Sequence, residues 1–177
     1  MTDPPSPTVG ADRSITVVGA DEQVDVEVDV DRWCRLATDV LAAEGRRGEL
    51  TLTFVDVAEI AALNEEHLGQ AGPTDVLSFP LDDTAGADTG RSAPIPVLLG
   101  DVVVCPAVAR DQAADHAGAL DDEIALLVVH GVLHVLGHDH AEPAETASMR
   151  AAEFRLLETH HWGGLAPSIF RQEHRDQ

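Results

Sequence analysis

Short apolar runs and longer stretches of helical spacing are interspersed along this chain, and the two rhythms together predict its elements. Ser14–Val18 reads as a short strand. Trp33, Leu36, Val40 and Leu41 then recur at helical spacing, which predicts a helix over Val30–Glu44 with Asp29 or Asp31 as its cap and Gly45 at its end. Leu50, Leu52 and Phe54 alternate with polar residues in a strand over Glu49–Val55. Asp56 can cap a helix carrying Ile60, Leu63 and Leu68 as far as Gly69, and the turn Gly72-Pro73 leads into a short strand, Val76–Phe79.

Residues 82–96 are rich in Asp, Gly, Pro and Ala and read as a surface loop. Val97–Val104 follows as a β-branched, buried strand that Gly100-Asp101 interrupts with a bulge. A helix begun near Ala107 runs on through the Ala-rich stretch Asp111–Ala119, and Asp121 caps a helix of another kind. Ile124–Leu136 is apolar nearly all round except for two histidines, so it belongs in the middle of the protein. Pro143–Leu157 supplies an amphipathic helix over it, with Met149, Phe154 and Leu157 as core contacts.

About four strands interspersed with helices predict an α+β fold, a single domain with a small mixed four-stranded sheet packed by helices. The 177 residues suffice for one core without staples. Residues 1–13 and 161–177 read as tails and 14–160 as the domain.

Acidic residues number 32 against 11 basic ones, all of them Arg, and the net charge of −21 excludes broad adhesion to nucleic acid or anionic lipid. Cys34 and Cys105 stand far apart with no second Cys near either, which fits neither a disulfide framework nor a CxxC site. Neither an export signal nor a membrane span is legible, so a cytoplasmic protein is expected.

The chemistry concentrates in His130-Gly131-Val132-Leu133-His134-Val135-Leu136-Gly137-His138-Asp139-His140, which holds four of the nine histidines. His130 and His134, at i and i+4, project from one helix face and can offer two nitrogens to one ion at about 2.0–2.1 Å each. Gly137 can take the left-handed conformation that ends a helix, which returns His140 to the same ion while His138 faces away. Three neutral ligands with an open fourth position make a catalytic zinc pattern, with one Zn²⁺ per chain. Burying several imidazoles without partners would instead cost about 1–3 kcal/mol apiece. Asp139 either orients a ligand or caps the turn. The spacing overlays the zincin pattern H-E-x-x-H-x-x-G-x-x-H, with Gly131 where the peptidase carries its general base. The central helix is therefore zincin-like in its ligands but lacks the zincin base.

Together with Gly72-Pro73-Thr74-Asp75-Val76-Leu77-Ser78-Phe79-Pro80 and Gly100-Asp101-Val102-Val103-Val104, this run resembles the YbeY family of bacterial metal-dependent endoribonucleases. The similarity extends from about Ile15 to Glu158. It implies zinc on His130, His134 and His140, single-stranded RNA as substrate, a role in 16S ribosomal RNA maturation and ribosome quality control, and ribosome-associated protein partners. DNA and membranes are not expected partners. Family members commonly carry Arg where this chain has Leu68, in the stretch Leu63-Asn64-Glu65-Glu66-His67-Leu68. If that Arg stabilises charge on the scissile phosphate, this chain uses another cation, His67 or an Arg folded in from elsewhere, or cleaves more slowly.

Arg32, Arg35, Arg46 and Arg47 form a candidate RNA-facing patch, with solvated pairing to nearby Asp and Glu as the alternative. Acidic groups 15–20 Å from the ion lie beyond a Debye length of about 8 Å, so a local divalent charge dominates at a bound phosphate. The proton acceptor is not fixed by the sequence; Asp139 and Ser78 are candidates. Two other functions stay open: a zinc peptidase or amidase, and a ribosome-assembly factor whose own catalysis is negligible.

Overall fold

Alternation in β2 (Gly48–Phe54) sends Leu50, Leu52 and Phe54 to one face, where all three are fully buried. In this computed structural model, which describes residues 15–81 and 97–172, that face is the floor of the main core. The expectations for the tail 1–13, for Ser14 and for the loop 82–96 fall outside the described residues.

β1 (Ile15–Asp21) and β4 (Leu98–Val104) flank β2 in parallel, and β3 (Val76–Pro80) runs antiparallel to β4, giving the order β1-β2-β4-β3. The chain is thus α+β with a four-stranded mixed sheet in one small domain. The expected bulge is present. Glu49 pairs with Leu98 but Leu50 with Gly100, leaving Leu99 as the extra residue of β4.

Helix α1 (Val30–Ala43) is capped by the Asp29 side chain on the Arg32 amide, and it buries Trp33, Leu36, Val40 and Leu41. Helix α2 (Val57–Leu68) is capped by Asp56 and covers the other sheet face, where Ile60 joins Leu77, Val103 and Cys105 in a second, smaller core. Helix α3 spans Pro106–Ala113, shorter than its Ala content suggests. The chain leaves the helix because the Ala117 amide is held by the Glu123 carboxylate and the Gly118 amide bonds back to Ala113.

Helix α4 (Leu120–Val135) lies in the middle, buried on nearly every side. Its N-cap is Ala119 rather than Asp121; Asp121 falls inside the first turn, where a negative charge complements the helix dipole. Helix α5 (Pro143–Leu157) opens with Pro143 and a reciprocal Glu142–Glu145 capping box, then passes into a π-helical turn, Glu158–Trp162. Met149 and Leu157 are buried as expected, but Phe154 is 37% exposed while the neighbouring Glu153 is 1% exposed.

The stretch expected as a tail from residue 161 packs back onto the domain as far as Gln172. Trp162 and Phe170 stack edge to face at 4.7 Å against the main core, and the Arg171 amide bonds to the His116 carbonyl. No helix among the described residues is long and apolar enough to cross a membrane.

Candidate metal centre

Two turns of the most buried helix set the first half of the site. His130 and His134 rise one turn apart on α4, with ring centroids 4.5 Å apart. α4 then ends through Leu136, and Gly137 adopts φ +94, a conformation costly for any residue with a side chain. That reversal returns His140, whose ring centroid lies 4.8 Å from that of His134 and 5.8 Å from that of His130. One ring nitrogen from each residue lies within 4.8 Å of the others, close enough for a common ion.

The donor chemistry fits a divalent cation. Burial, reinforced by the neighbouring His130 and His140, pushes the His134 imidazole down to about 4, so it is neutral at pH 7 with a lone pair to offer. His130 places Nδ1 2.7 Å from Glu153 Oε1. A carboxylate only accepts hydrogen bonds, so Nδ1 carries the hydrogen and Nε2 is left to bind a metal. His138 points elsewhere, with Nε2 3.3 Å from Glu44 Oε2.

Glu153 is the site residue that sequence reading missed. The apolar pattern of α5 was phased on Phe154, yet Met149, Glu153 and Leu157 share one face at four-residue spacing. A lone carboxylate between two core positions was the available signal.

The other candidates are distributed. Asp139 is exposed, and its Oδ1 accepts from the His140 amide at 2.7 Å, so it braces the turn that delivers the third imidazole. Its charge also acts on His134. Ser78 Oγ donates to the Gly131 carbonyl at 3.1 Å and joins β3 to α4. Asp75, buried, accepts from the Val76 amide at 2.8 Å, and Thr51 donates to Asp101 across the strands beside the bulge.

His67 packs against Phe79, with ring centroids 4.8 Å apart and the rings tilted by 59°. Phe79 packs with the α2-side core whereas Ser78 reaches α4, so His67 lies on the sheet face opposite the three clustered histidines. Leu68, at the end of α2, is half exposed.

The four arginines are spread along α1 and beyond its end. Arg32 pairs with Asp121 at 2.6 Å, at the start of α4. Arg46 and Arg47 follow Glu44, which reaches His138 beyond the other end of α4. Twelve residues of helix, about 18 Å at 1.5 Å per residue, separate Arg32 from Glu44. Arg35 is exposed on α1, one turn from Arg32.

A small α+β domain in which a buried helix and a glycine turn bring three imidazoles together defines a class of proteins with a candidate metal centre on a single helix and its exit loop. The comparisons with known proteins narrow that class. The family model for Endoribonuclease YbeY matches residues 19–161, and the chain belongs to that family. It is 43% identical over 137 residues to the Endoribonuclease YbeY of Salinispora tropica, covering 74% of this chain and 87% of that one. Against the protein of the same name from Mycobacterium marinum the identity is 42% over 130 residues, covering 73% and 72%. A protein of Thermotoga maritima with a known solution structure shares the fold, with a TM-score of 0.57 at 24% identity over 83% of this chain and 89% of that one.

Proposed function

We propose that this chain is a zinc-dependent endoribonuclease that hydrolyses phosphodiesters of single-stranded RNA, working in the cytoplasm on ribosomal RNA during 16S maturation and ribosome quality control. The observation that carries this reading is the convergence of His130, His134 and His140 in a chain of the YbeY endoribonuclease family. A peptidase of the zincin type is disfavoured by Gly131, because a β-carbon there would stand 2.6 Å from Val102 Cγ1 and leaves no room for the missing Glu.

A divalent ion held by the three imidazoles supplies Lewis acidity toward a phosphate oxygen and acidifies water. The protein's own groups do the rest. Glu153 fixes the His130 ring, the Gly137 turn and Asp139 fix His140, and burial keeps His134 neutral. Asp139 is the better of the two proton acceptors. A carboxylate oxygen is a far stronger base than a hydroxyl oxygen, and the Ser78 hydroxyl is held by its hydrogen bond to the Gly131 carbonyl.

The test is cleavage of single-stranded RNA by protein with its metal quantified by mass spectrometry, beside His130→Ala and a chelated sample. One zinc per chain and cleavage lost in both controls support the proposal. Cleavage that persists without metal overturns it. RNA binding without cleavage by the loaded protein favours the assembly factor instead.

A further inference from the structure

Gln172 lies eleven positions beyond the last residue matched by the family model, 172 − 161, yet it reaches the metal centre through one side chain. Its Nε2 donates to Glu153 Oε2 at 2.6 Å, while Glu153 Oε1 holds His130 Nδ1 at 2.7 Å. The same Nε2 donates to the Arg150 carbonyl at 2.6 Å, which ties the amide to α5.

We propose that the segment Pro167–Gln172 is part of the metal site, a strap whose Gln172 locks the Glu153 carboxylate and, through it, the orientation of His130. Gln172 and Glu153 are positioning residues. The inference rests on the three-histidine reading above and specifies what sets that site's affinity.

The strap is built to hold this position. Phe170 closes a turn onto the Pro167 carbonyl at 3.0 Å and packs its ring against Trp162 and Phe154. Ile169 seats over Gly118, and the Arg171 amide reaches the His116 carbonyl at 3.0 Å. These anchors fix Gln172 over a carboxylate that is 1% exposed.

A carboxylate so buried needs a partner at each oxygen. With Gln172 in place the two oxygens face opposite partners, and the carboxylate plane is set. Without the amide, Oε2 loses a donor at 2.6 Å, and the hold on the carboxylate's orientation toward Nδ1 is weakened. Changes in such outer partners typically weaken metal affinity by about 10–100-fold.

The experiment measures zinc affinity of the full chain by competition with a chromophoric chelator, and the visible spectrum of the Co²⁺-loaded protein as a report on ligand geometry. Glu153→Gln and Gln172→Leu are compared with Ile169→Ala, which loosens the strap without touching the amide. We expect Glu153→Gln to weaken zinc by about 10–100-fold, Gln172→Leu by about tenfold, and both to alter the Co²⁺ spectrum. Ile169→Ala removes one of several anchors and keeps the amide, so it should weaken zinc clearly less than Gln172→Leu does. The exchange Glu153→Gln with Gln172→Glu restores a donor–acceptor pair, so it should bind more tightly than Gln172→Glu alone.

Wild-type affinity and spectrum in Gln172→Leu overturn the strap's role while leaving the three-histidine site standing. An equal loss in Ile169→Ala also overturns it, by assigning the effect to packing. A wild-type chain that binds neither Zn²⁺ nor Co²⁺ removes the site itself.

Discussion

Gly131 lies against Val102 with no room for a side chain between them: a β-carbon on Gly131 would stand 2.6 Å from Val102 Cγ1 and 3.3 Å from Ser78 Oγ. This contact seats α4 on β3 and β4, and it decides what chemistry the helix can carry. Replacing a mid-helix Gly by Ala favours the helix by about 0.5–1 kcal/mol, but overpacking a core costs about 1–3 kcal/mol. The clash wins because Val102 branches at the contact and is itself fully buried. Gly131→Ala should therefore lose about 1 kcal/mol, a fall of roughly 2–4 °C in melting temperature. Gly131→Glu, which completes the zincin motif on paper, should give insoluble or unfolded protein without peptidase activity. A soluble Gly131→Glu variant that cleaves peptides would contradict the packing account.

The two ends of α1 make separate predictions about RNA. Arg32 is paired with Asp121 and stands 4.5 Å over the Trp33 ring, about 18 Å along the helix from the end where Glu44 meets His138. Arg46 and Arg47 belong to the end that carries the histidines. Arg46→Gln with Arg47→Gln should weaken binding of single-stranded RNA and reduce the salt slope by about 0.7 per lost phosphate contact. Arg32→Gln should leave binding unchanged and cost no more than about 1 kcal/mol of stability. Anisotropy titrations at several salt concentrations separate the two, and equal losses at both ends would restore a single four-arginine patch.

Most of the fold was legible because its signals are local. Alternation in β2, the Asp29 and Asp56 caps and the all-apolar run of α4 each fix an element within a few residues. The convergence of His130, His134 and His140 was legible for the same reason, since i,i+4 spacing and a glycine turn are sequence-local geometry. Glu153 was not, because its role depends on which residue of α5 faces α4. Phe154 suggested one phase, but a carboxylate bound to His130 at 2.7 Å and covered by Gln172 takes the inward position, and the aromatic ring turns outward to Trp162 and Phe170. The split of the arginines was illegible too, since closeness in sequence says nothing of which end of a helix each flanks.

Glu123 gives the fold a pH dependence that can be signed in advance. Its side chain is fully buried in the first turn of α4, facing His116 Nδ1 at 3.3 Å and the Ala117 amide at 3.2 Å, with the Asp75 charge acting on it. Burial pushes its carboxyl above the ordinary 4.5, against the opposing pull of the Ala117 amide and His116. The folded chain then holds this proton to higher pH than the unfolded chain. Stability from this group is full below about 4.5 and falls as pH rises through the folded value. Glu123→Gln keeps an acceptor for Ala117 and carries no charge into the core, so it should remove that decline and be more stable than wild type at neutral pH. Urea denaturation from pH 4 upward checks this, and parallel curves for the two proteins would refute it.

Ser78 and Asp139 separate structure from proton transfer. The Ser78 hydroxyl donates to the Gly131 carbonyl at 3.1 Å, so Ser78→Ala removes one part-buried hydrogen bond, worth about 0.5–1.5 kcal/mol, and takes nothing from the reacting groups. Asp139 Oδ1 accepts the His140 amide at 2.7 Å, and Asn has the same oxygen to offer, so Asp139→Asn preserves the turn and removes only the basic group. We therefore expect Ser78→Ala to melt earlier with cleavage intact. Asp139→Asn should retain zinc and melt as wild type, yet cleave about 10²–10⁴-fold more slowly. Single-turnover cleavage from pH 5 to pH 9, with zinc quantified in each sample, reads both variants together. A large rate loss in Ser78→Ala would return the hydroxyl to the reaction, and a normal rate in Asp139→Asn would leave Asp139 as a brace for the turn and nothing more.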